Sequence, residues 1–259
     1  MLGAVIGDIV GSAYEFRPLK SKRFEPLFHP QAHFTDDTVC TVAVADALVR
    51  GSDPAATLQA WCRRYESVGG WGQRFAFWIV DDAPRPYGSW GNGGAMRVSA
   101  AGLLARNEDE VMRMVDAVTL ITHNHPDALA GARAVALAIH WARAGQDADQ
   151  MADGLSQRFG YVLNRPLDDI RPGYRRTEKA SGSVPEAIAC ALQSTSVEDA
   201  LRNAVSLGGD SDTMAAMAGS IAEAMHGMEP ALAAQGWGYL PDDMRRVLTD
   251  LYRVVPELG

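Results

Sequence analysis

Residues 128–144 read ALAGARAVALAIHWARA. Strands average about 5–6 residues, and this run is far longer, with small and aliphatic side chains on nearly every face. It therefore predicts a helix at 127–144, buried on almost all sides near the middle of a bundle. Working outward, TDDTVCTVAVADALVR at 35–50 gathers its polar residues at the front of another helix. Asp53-Pro54 sets an N-cap before a proline at the first helical position and opens a helix to about 67. Further helices are expected at 2–14, 94–105, 108–122, 147–159, 184–194, 197–207, 211–226 and 241–252. A short helix at 73–80 interrupts an irregular stretch at 68–92 that is rich in Gly, Pro and Trp, and a loop follows the 147–159 helix to about 182. Gly3, Gly7 and Gly11 are four apart, on one helix face where another backbone can approach closely. Strand-like alternation is missing throughout. The expectation is an all-α fold: a compact, single-domain helical bundle over residues 1–259, with function placed in its loops.

With 259 residues, 47% of them hydrophobic, the chain is long enough for one large core without staples. No linker, repeat or low-complexity tract offers a domain boundary. Its net charge of −8 disfavours nonspecific contact with phosphate backbones, so no nucleic acid is expected except as a modified substrate. Cys40, Cys62 and Cys190 are odd in number and widely spaced, which predicts reduced, buried thiols rather than disulfides or a zinc knuckle. The apolar start MLGAVIGDIVG lacks a basic leader and carries Asp8 in mid-run, so it reads as a helix and not as a signal peptide. No stretch reaches the ~18 apolar residues of a membrane span, and a cytoplasmic location is expected.

Two acidic clusters are nearly the same word: Thr35-Asp36-Asp37-Thr38 and, after Gly208-Gly209, Asp210-Ser211-Asp212-Thr213. Each sits at a predicted helix start, where Asp and Thr commonly cap free N–H groups. A cap needs one side chain, whereas each cluster spends two carboxylates within three residues. Crowded carboxylates repel unless a cation neutralises them, and ligands that are all oxygen suit a hard ion such as Mg²⁺, Mn²⁺ or Ca²⁺. Four carboxylates and two threonine hydroxyls are enough for two ions. Ser89-Trp90-Gly91-Asn92-Gly93-Gly94 leads toward a predicted helix and reads either as a plain tight turn or as a loop offering bare N–H groups to an anion. Thr122-His123-Asn124-His125-Pro126-Asp127 holds two histidines with no cysteine nearby, which favours a hydrogen-bonding His over a metal ligand. The aromatic group Trp71, Phe75, Phe77 and Trp78 reads as core.

Taken in order, these features resemble the ADP-ribosylglycohydrolase family, whose members include dinitrogenase-reductase-activating and ADP-ribosylarginine hydrolases. The matching stretches are GAVIGDIVGSAYEF at 3–16, FTDDTVCT at 34–41, SWGNGGAMRVS at 89–99, THNHPDALAGA at 122–132 and SLGGDSDTMAAMAGSIAEA at 206–224, with SGSVPEAI at 181–188 a further one. The resemblance implies an all-helical fold with a binuclear magnesium cleft. Thr35, Asp36, Asp37, Asp210, Asp212 and Thr213 fall on its metal ligands, and Mn²⁺ is an alternative ion. Glu15 matches a glutamate that in some relatives reaches the metals and moves when substrate binds. Ser89, Trp90, Gly91, Asn92 and Gly93 fall where the family contacts diphosphate and ribose, and His123 beside the diphosphate. Trp90 stands where several members have tyrosine, so a phenolic contact is replaced by an indole face.

The implied reaction is hydrolysis at the anomeric carbon of the distal ribose, through an oxocarbenium-like state, which frees ADP-ribose from a modified protein or small molecule. Asp37 or Asp212 would take the proton of the attacking water, with Glu15 as a third candidate or a gate. Two rivals stand beside this reading. One is a two-metal phosphohydrolase cutting the diphosphate, though the adjacent His-Asp pair of the helical histidine–aspartate type is missing. The other is a non-catalytic ADP-ribose-binding protein, against which every cluster is intact.

Overall fold

The computed structural model describes residues 1–258, and among them the regular elements are fourteen α-helices and two single 3₁₀ turns, with no strand. The first seven helices are α1 (Leu2–Ser12), α2 (Asp36–Arg50), α3 (Pro54–Arg64), α4 (Gln73–Val80), α5 (Ser99–Leu104), α6 (Glu108–Thr119) and α7 (Pro126–Arg143). The rest are α8 (Ala148–Phe159), α9 (Leu167–Ile170), α10 (Ala180–Leu192), α11 (Val197–Ser206), α12 (Ser211–His226), α13 (Pro230–Gly238) and α14 (Asp242–Val254). The 3₁₀ turns are Glu66–Val68 and Asn92–Gly94. One continuous hydrophobic core links residues from Met1 to Leu251. No helix among the described residues is long and apolar enough to cross a membrane.

The all-helical expectation holds, and its local signals are visible in the caps. The Asp53 carboxylate accepts from the Ala56 amide at 2.7 Å ahead of Pro54. Asp147 and Gln150 close a reciprocal capping box on α8. Helix α7 packs against α5, α6, α10 and α12, as its apolar surface requires. It shares the centre with α12, which is buried continuously from Ser211 to Ala222.

The structure differs from expectation in five places, one of them the four-residue helix α9 inside a stretch expected to be loop. Helix α13 was not foreseen, because Gly236 and Gly238 dilute its pattern; Gly236 instead lets Ile6 close in, where an added Cβ would lie 2.3 Å from Ile6 Cγ1. Helix α10 starts at Ala180 and runs through Pro185 in its second turn, where the missing N–H costs one intrahelical hydrogen bond. The helix expected from 94 begins only at Ser99, after turns that follow Asn92–Gly94. Phe77 is 69% exposed, while Phe75 and Trp78 are buried and stacked.

What positions the site is the antiparallel contact of α1 with α12. An added Cβ at Gly3 would lie 2.2 Å from Gly219 O, at Gly7 2.1 Å from Ala215 O, and at Gly11 2.4 Å from Ser211 O. Each step of four along α1 is a step of four back along α12, so the helices touch backbone to backbone in one register. The end of α1 therefore lies beside the start of α12. Gly7→Ala should destabilise by about 1–3 kcal/mol or more, because neither backbone can yield and the ~1 kcal/mol helix-propensity gain is too small to offset the clash. Gly173→Ala, where the added Cβ meets nothing within 4 Å, should stay within about 0.5 kcal/mol of wild type. Urea unfolding of both variants checks this, and equal stabilities would contradict the close helix contact.

Candidate active site

Asp8 sits in the middle of α1 and is completely buried. Its Oδ2 accepts from the Thr35 amide at 2.8 Å and the Thr38 amide at 3.1 Å. Its carboxylate also accepts from both hydroxyls, Thr35 at 2.7 Å and Thr38 at 2.5 Å. This one side chain thus holds the first turn of α2 against α1. The glycine ladder holds α12 against the same helix, and the two acidic clusters meet.

Thr35 is the N-cap of α2, its hydroxyl accepting from the Asp37 amide at 3.2 Å. Capping therefore uses the threonine and spares both carboxylates. Asp210 occupies the N-cap position of α12 without capping it, and Asp212 Oδ1 accepts only from the adjacent Thr213 amide at 2.9 Å. Asp37, Asp210, Asp212 and Thr213 are all buried. Asp37 Oδ2 is buried with no hydrogen-bond partner. Carboxylate oxygens of Glu15, Asp210 and Asp212 all lie within 4.8 Å of one another. Gly70 bends over Asp36 with a positive φ of 82°, and an added Cβ there would lie 2.5 Å from Asp36 Oδ1.

Electrostatics record the crowding. Burial, then repulsion from Asp212, pushes the Asp37 carboxyl well above its ordinary range. Burial, then repulsion from Asp210 and Glu15, does the same to Asp212. Burial and the Asp8 charge push Asp36 up to about 7. Burial pushes Asp210 up to about 6, against the pull of its hydrogen bond from Asn92 and of the Arg176 charge. That Asp212 is the leading charged neighbour of Asp37 places the clusters side by side, although about 175 residues of sequence separate them.

The glycine loop reaches this centre through Asn92, whose Nδ2 donates to Asp210 Oδ2 at 2.7 Å. The loop is pinned by a short antiparallel bridge: the Asn92 amide donates to Glu178 O at 2.8 Å and the Ala180 amide to Trp90 O at 3.0 Å. Ser89 Oγ accepts from the Gly91 amide at 3.3 Å. Two of the N–H groups expected to be bare are therefore engaged, and the loop feeds a 3₁₀ turn rather than the start of an α-helix. Trp90 is 48% exposed, with Lys179 Nζ 5.8 Å from its ring centre. His123 is buried beneath the loop, where an added Cβ on Gly93 would lie 3.3 Å from its Nε2. Burial, then the Arg97 charge, holds its imidazole well below the usual histidine range, so it is neutral.

Several residues of the site escaped the sequence reading. Asp8 registered only as a charge interrupting an apolar run. Arg176 lies in the arginine-rich loop RPGYRRTEK at 171–179, with no pattern to mark it. Its Nη2 donates to Glu15 Oε1 at 2.7 Å and lies 3.2 Å from Asp210 Oδ1, while Nη1 donates to Glu178 Oε1 at 2.8 Å. Its guanidinium also lies 5.2 Å from the exposed Phe16 ring.

A family model described as ADP-ribosylglycohydrolase matches residues 1–258. ADP-ribosylhydrolase ARH3 of Homo sapiens is 26% identical over 88% of this chain and 85% of its own length. The Bos taurus ARH3 is 30% identical over 55% of this chain, and there the match spans about half, 51%, of that relative. ADP-ribosylarginine hydrolase Tri1 of Pseudomonas putida is 26% identical over 88% of this chain and 70% of its own length. A solved chain of an ADP-ribosylglycohydrolase-related protein complex superposes with a TM-score of 0.70 over 98% of this chain and 96% of that one, at 24% identity, which shows a common fold. With its helices, its paired acidic turns and a match along nearly its whole length, the chain belongs to the ADP-ribosylglycohydrolase family of enzymes.

Proposed function

We propose that this enzyme is a magnesium-dependent hydrolase that cleaves the N- or O-glycosidic bond between the distal ribose of ADP-ribose and a modified acceptor, a protein side chain or a small molecule. The observation that carries this reading is the convergence of both acidic clusters and Glu15 on one buried patch, joined by Asn92 to the glycine loop. The donor set fits a hard divalent ion. It is all oxygen, it crowds carboxylates that burial and mutual repulsion hold toward protonation, and it leaves Asp37 Oδ2 without a partner. Thr35, Asp36, Asp37, Asp210, Asp212 and Thr213 would hold two Mg²⁺, or Mn²⁺ in their place. Bound there, the ions would supply Lewis-acid chemistry, orienting the ribose hydroxyls and making water more acidic.

The chain's own residues do the rest. Asp37 or Asp212 accepts the proton of the attacking water; both are buried carboxylates, one from each acidic cluster. Glu15, only partly buried and paired to Arg176, gates the entrance. Residues 89–93 and His123 hold the diphosphate and ribose, with the exposed Trp90 face against the ligand. The protein acts in the cytoplasm, where its three free, buried cysteines stay reduced.

Product analysis tests the activity. Peptides carrying ADP-ribosyl-arginine or ADP-ribosyl-serine, and O-acetyl-ADP-ribose, are incubated with Mg²⁺ or with a chelator. The expected product is free ADP-ribose from at least one linkage, and only with Mg²⁺. AMP with ribose phosphate would indicate cleavage of the diphosphate instead, and no turnover of any linkage would leave a binding protein.

Asp212→Asn and Asp37→Asn test the two-cluster site. As helix caps, either change should cost little, since Asn caps as well as Asp. As ligands, each should lower turnover by orders of magnitude while leaving the melt in chelator no lower than that of wild type, since one buried charge is removed. Wild type should gain roughly 2.7 kcal/mol from Mg²⁺ at about 100 times its dissociation constant, and both variants much less. Equal Mg²⁺-dependent gains in all three proteins would remove these residues from one shared site.

The raised carboxyls also set a pH dependence. In the metal-free protein Asp36 titrates at about 7 and Asp210 at about 6, against an ordinary value of 3.8. Between those values the folded state holds protons that the unfolded state has released, so stability falls as pH rises through that window. Melting in chelator should therefore shift downward from about pH 5 to about pH 8, and the Mg²⁺-dependent gain should grow over the same interval. A chelator melt that rises with pH would contradict the assigned burial of these groups.

A further inference from the structure

Arg97 lies between the glycine loop and α5, and it is 1% exposed, the largest side chain so completely buried. A buried guanidinium normally has a carboxylate partner, since an unpaired buried charge costs several kcal/mol. Among the described residues Arg97 has none. Its Nη2 donates to Val118 O at 3.1 Å and to Thr122 Oγ1 at 2.7 Å, and its Nε has no partner at all. The Thr122 hydroxyl, itself fully buried, has one other neighbour within hydrogen-bond distance: His123 Nδ1 at 2.7 Å.

The bonding along this chain admits one direction. A guanidinium can only donate, so Thr122 Oγ1 is the acceptor toward Arg97. Its hydroxyl hydrogen must then go to His123 Nδ1, because a buried hydroxyl without an acceptor costs about 1–3 kcal/mol. A neutral imidazole that accepts at Nδ1 carries its proton on Nε2. Nε2 is the atom that faces the loop, 3.3 Å from where a Cβ on Gly93 would stand and 3.8 Å from one on Gly91. Gly94 packs against the root of the ring, where an added Cβ would lie 3.1 Å from His123 Cγ, and the Thr122 hydroxyl at Nδ1 holds the other side.

We propose that Arg97 and Thr122 are positioning residues that fix His123 as the Nε2–H tautomer, so that the imidazole presents a donor, and not a lone pair, to an anionic ligand group at the glycine loop. This rests on the proposed reading of that loop as the diphosphate subsite. The depressed basicity of His123 agrees with it, since a neutral ring has a tautomer to choose. The unpaired Arg97 charge also gains a role: it orders the hydroxyl above it and adds positive potential beneath a site for phosphate.

The test combines tautomer and affinity in the full-length protein. Two-bond ¹H–¹⁵N correlation spectra of histidine-labelled protein report which His123 nitrogen carries the proton, and calorimetry gives the affinity for free ADP-ribose. Wild type and Thr122→Ser, which keeps the hydroxyl, should both show Nε2–H and bind alike. Thr122→Val should populate both tautomers and bind ADP-ribose about five- to tenfold more weakly, the loss of one oriented hydrogen bond. An unchanged tautomer in Thr122→Val overturns the control by Thr122. A shifted tautomer with wild-type affinity overturns the proposal differently, by taking His123 and the loop out of the ligand site. Should the valine variant not fold, the wild-type spectrum still decides, because Nδ1–H there is incompatible with the proposed direction of bonding.

Discussion

Four hydrogen bonds to one buried carboxylate hold this site together. Asp8 is surrounded by the amides and hydroxyls of Thr35 and Thr38, which offset part of what burial alone would cost it. On another face of the same helix, Gly3, Gly7 and Gly11 admit the backbone of α12 at a separation that leaves no room for a Cβ. Helix α1 is thus a splint with two attachments, one chemical and one steric. The first fixes the turn bearing Asp36 and Asp37, the second the turn bearing Asp210 and Asp212. Sliding α12 by one residue would move its acidic turn about 1.5 Å along the axis and set backbone against side chain at every glycine.

The splint forces negative charge together, and the protein meets the strain locally. Asn92 donates to Asp210, and Arg176 reaches in from a loop to pair with Glu15 and Asp210. Asp37 and Asp212 have no such cation among their hydrogen-bond and ion-pair partners, and both are buried, whereas Glu15 is only partly so. The centre is therefore graded, with its accessible edge compensated by Arg176 and its floor left to a bound cation or to protons. On the other side of Asn92 the environment reverses sign, with Arg97 buried beneath His123 and Lys179 beside Trp90. One loop thereby joins a region suited to cations to a region suited to anions, a polarity that suits the proposed metal-assisted attack on a diphosphate-bearing sugar.

Much of this was legible in sequence because local rules carried it. The paired carboxylates at two helix starts were conspicuous as more acid than a cap needs, and the four-residue spacing of glycines already implied close backbone approach. Helix α12 lies where its pattern predicts, from Ser211 to His226, and α4 likewise. What stayed hidden depends on partners distant in the chain. Asp8 looks like a flaw in an apolar run until Thr35 and Thr38 come into contact with it, and Arg176 is one of several arginines in an exposed loop until Glu15 is placed beside it. At the glycine loop only the helix start was misplaced, for a local reason: the Gly91 and Asn92 amides turn to Ser89 and Glu178, and the helix beyond starts only at Ser99. Helix α13 was lost because its glycines weaken the helical pattern, while Gly236 serves packing against Ile6 instead.

Held in register by α1, the two distant acidic turns are proposed to form a single cation site. The most direct measurement is anomalous diffraction from crystals grown with Mn²⁺, recorded at the manganese absorption edge. Manganese positions about 2.1–2.3 Å from carboxylate oxygens of Asp36 or Asp37 and of Asp210 or Asp212, both turns contributing to one centre, are the predicted result. Manganese held by one turn alone, or no ordered manganese at concentrations that support turnover, would contradict it.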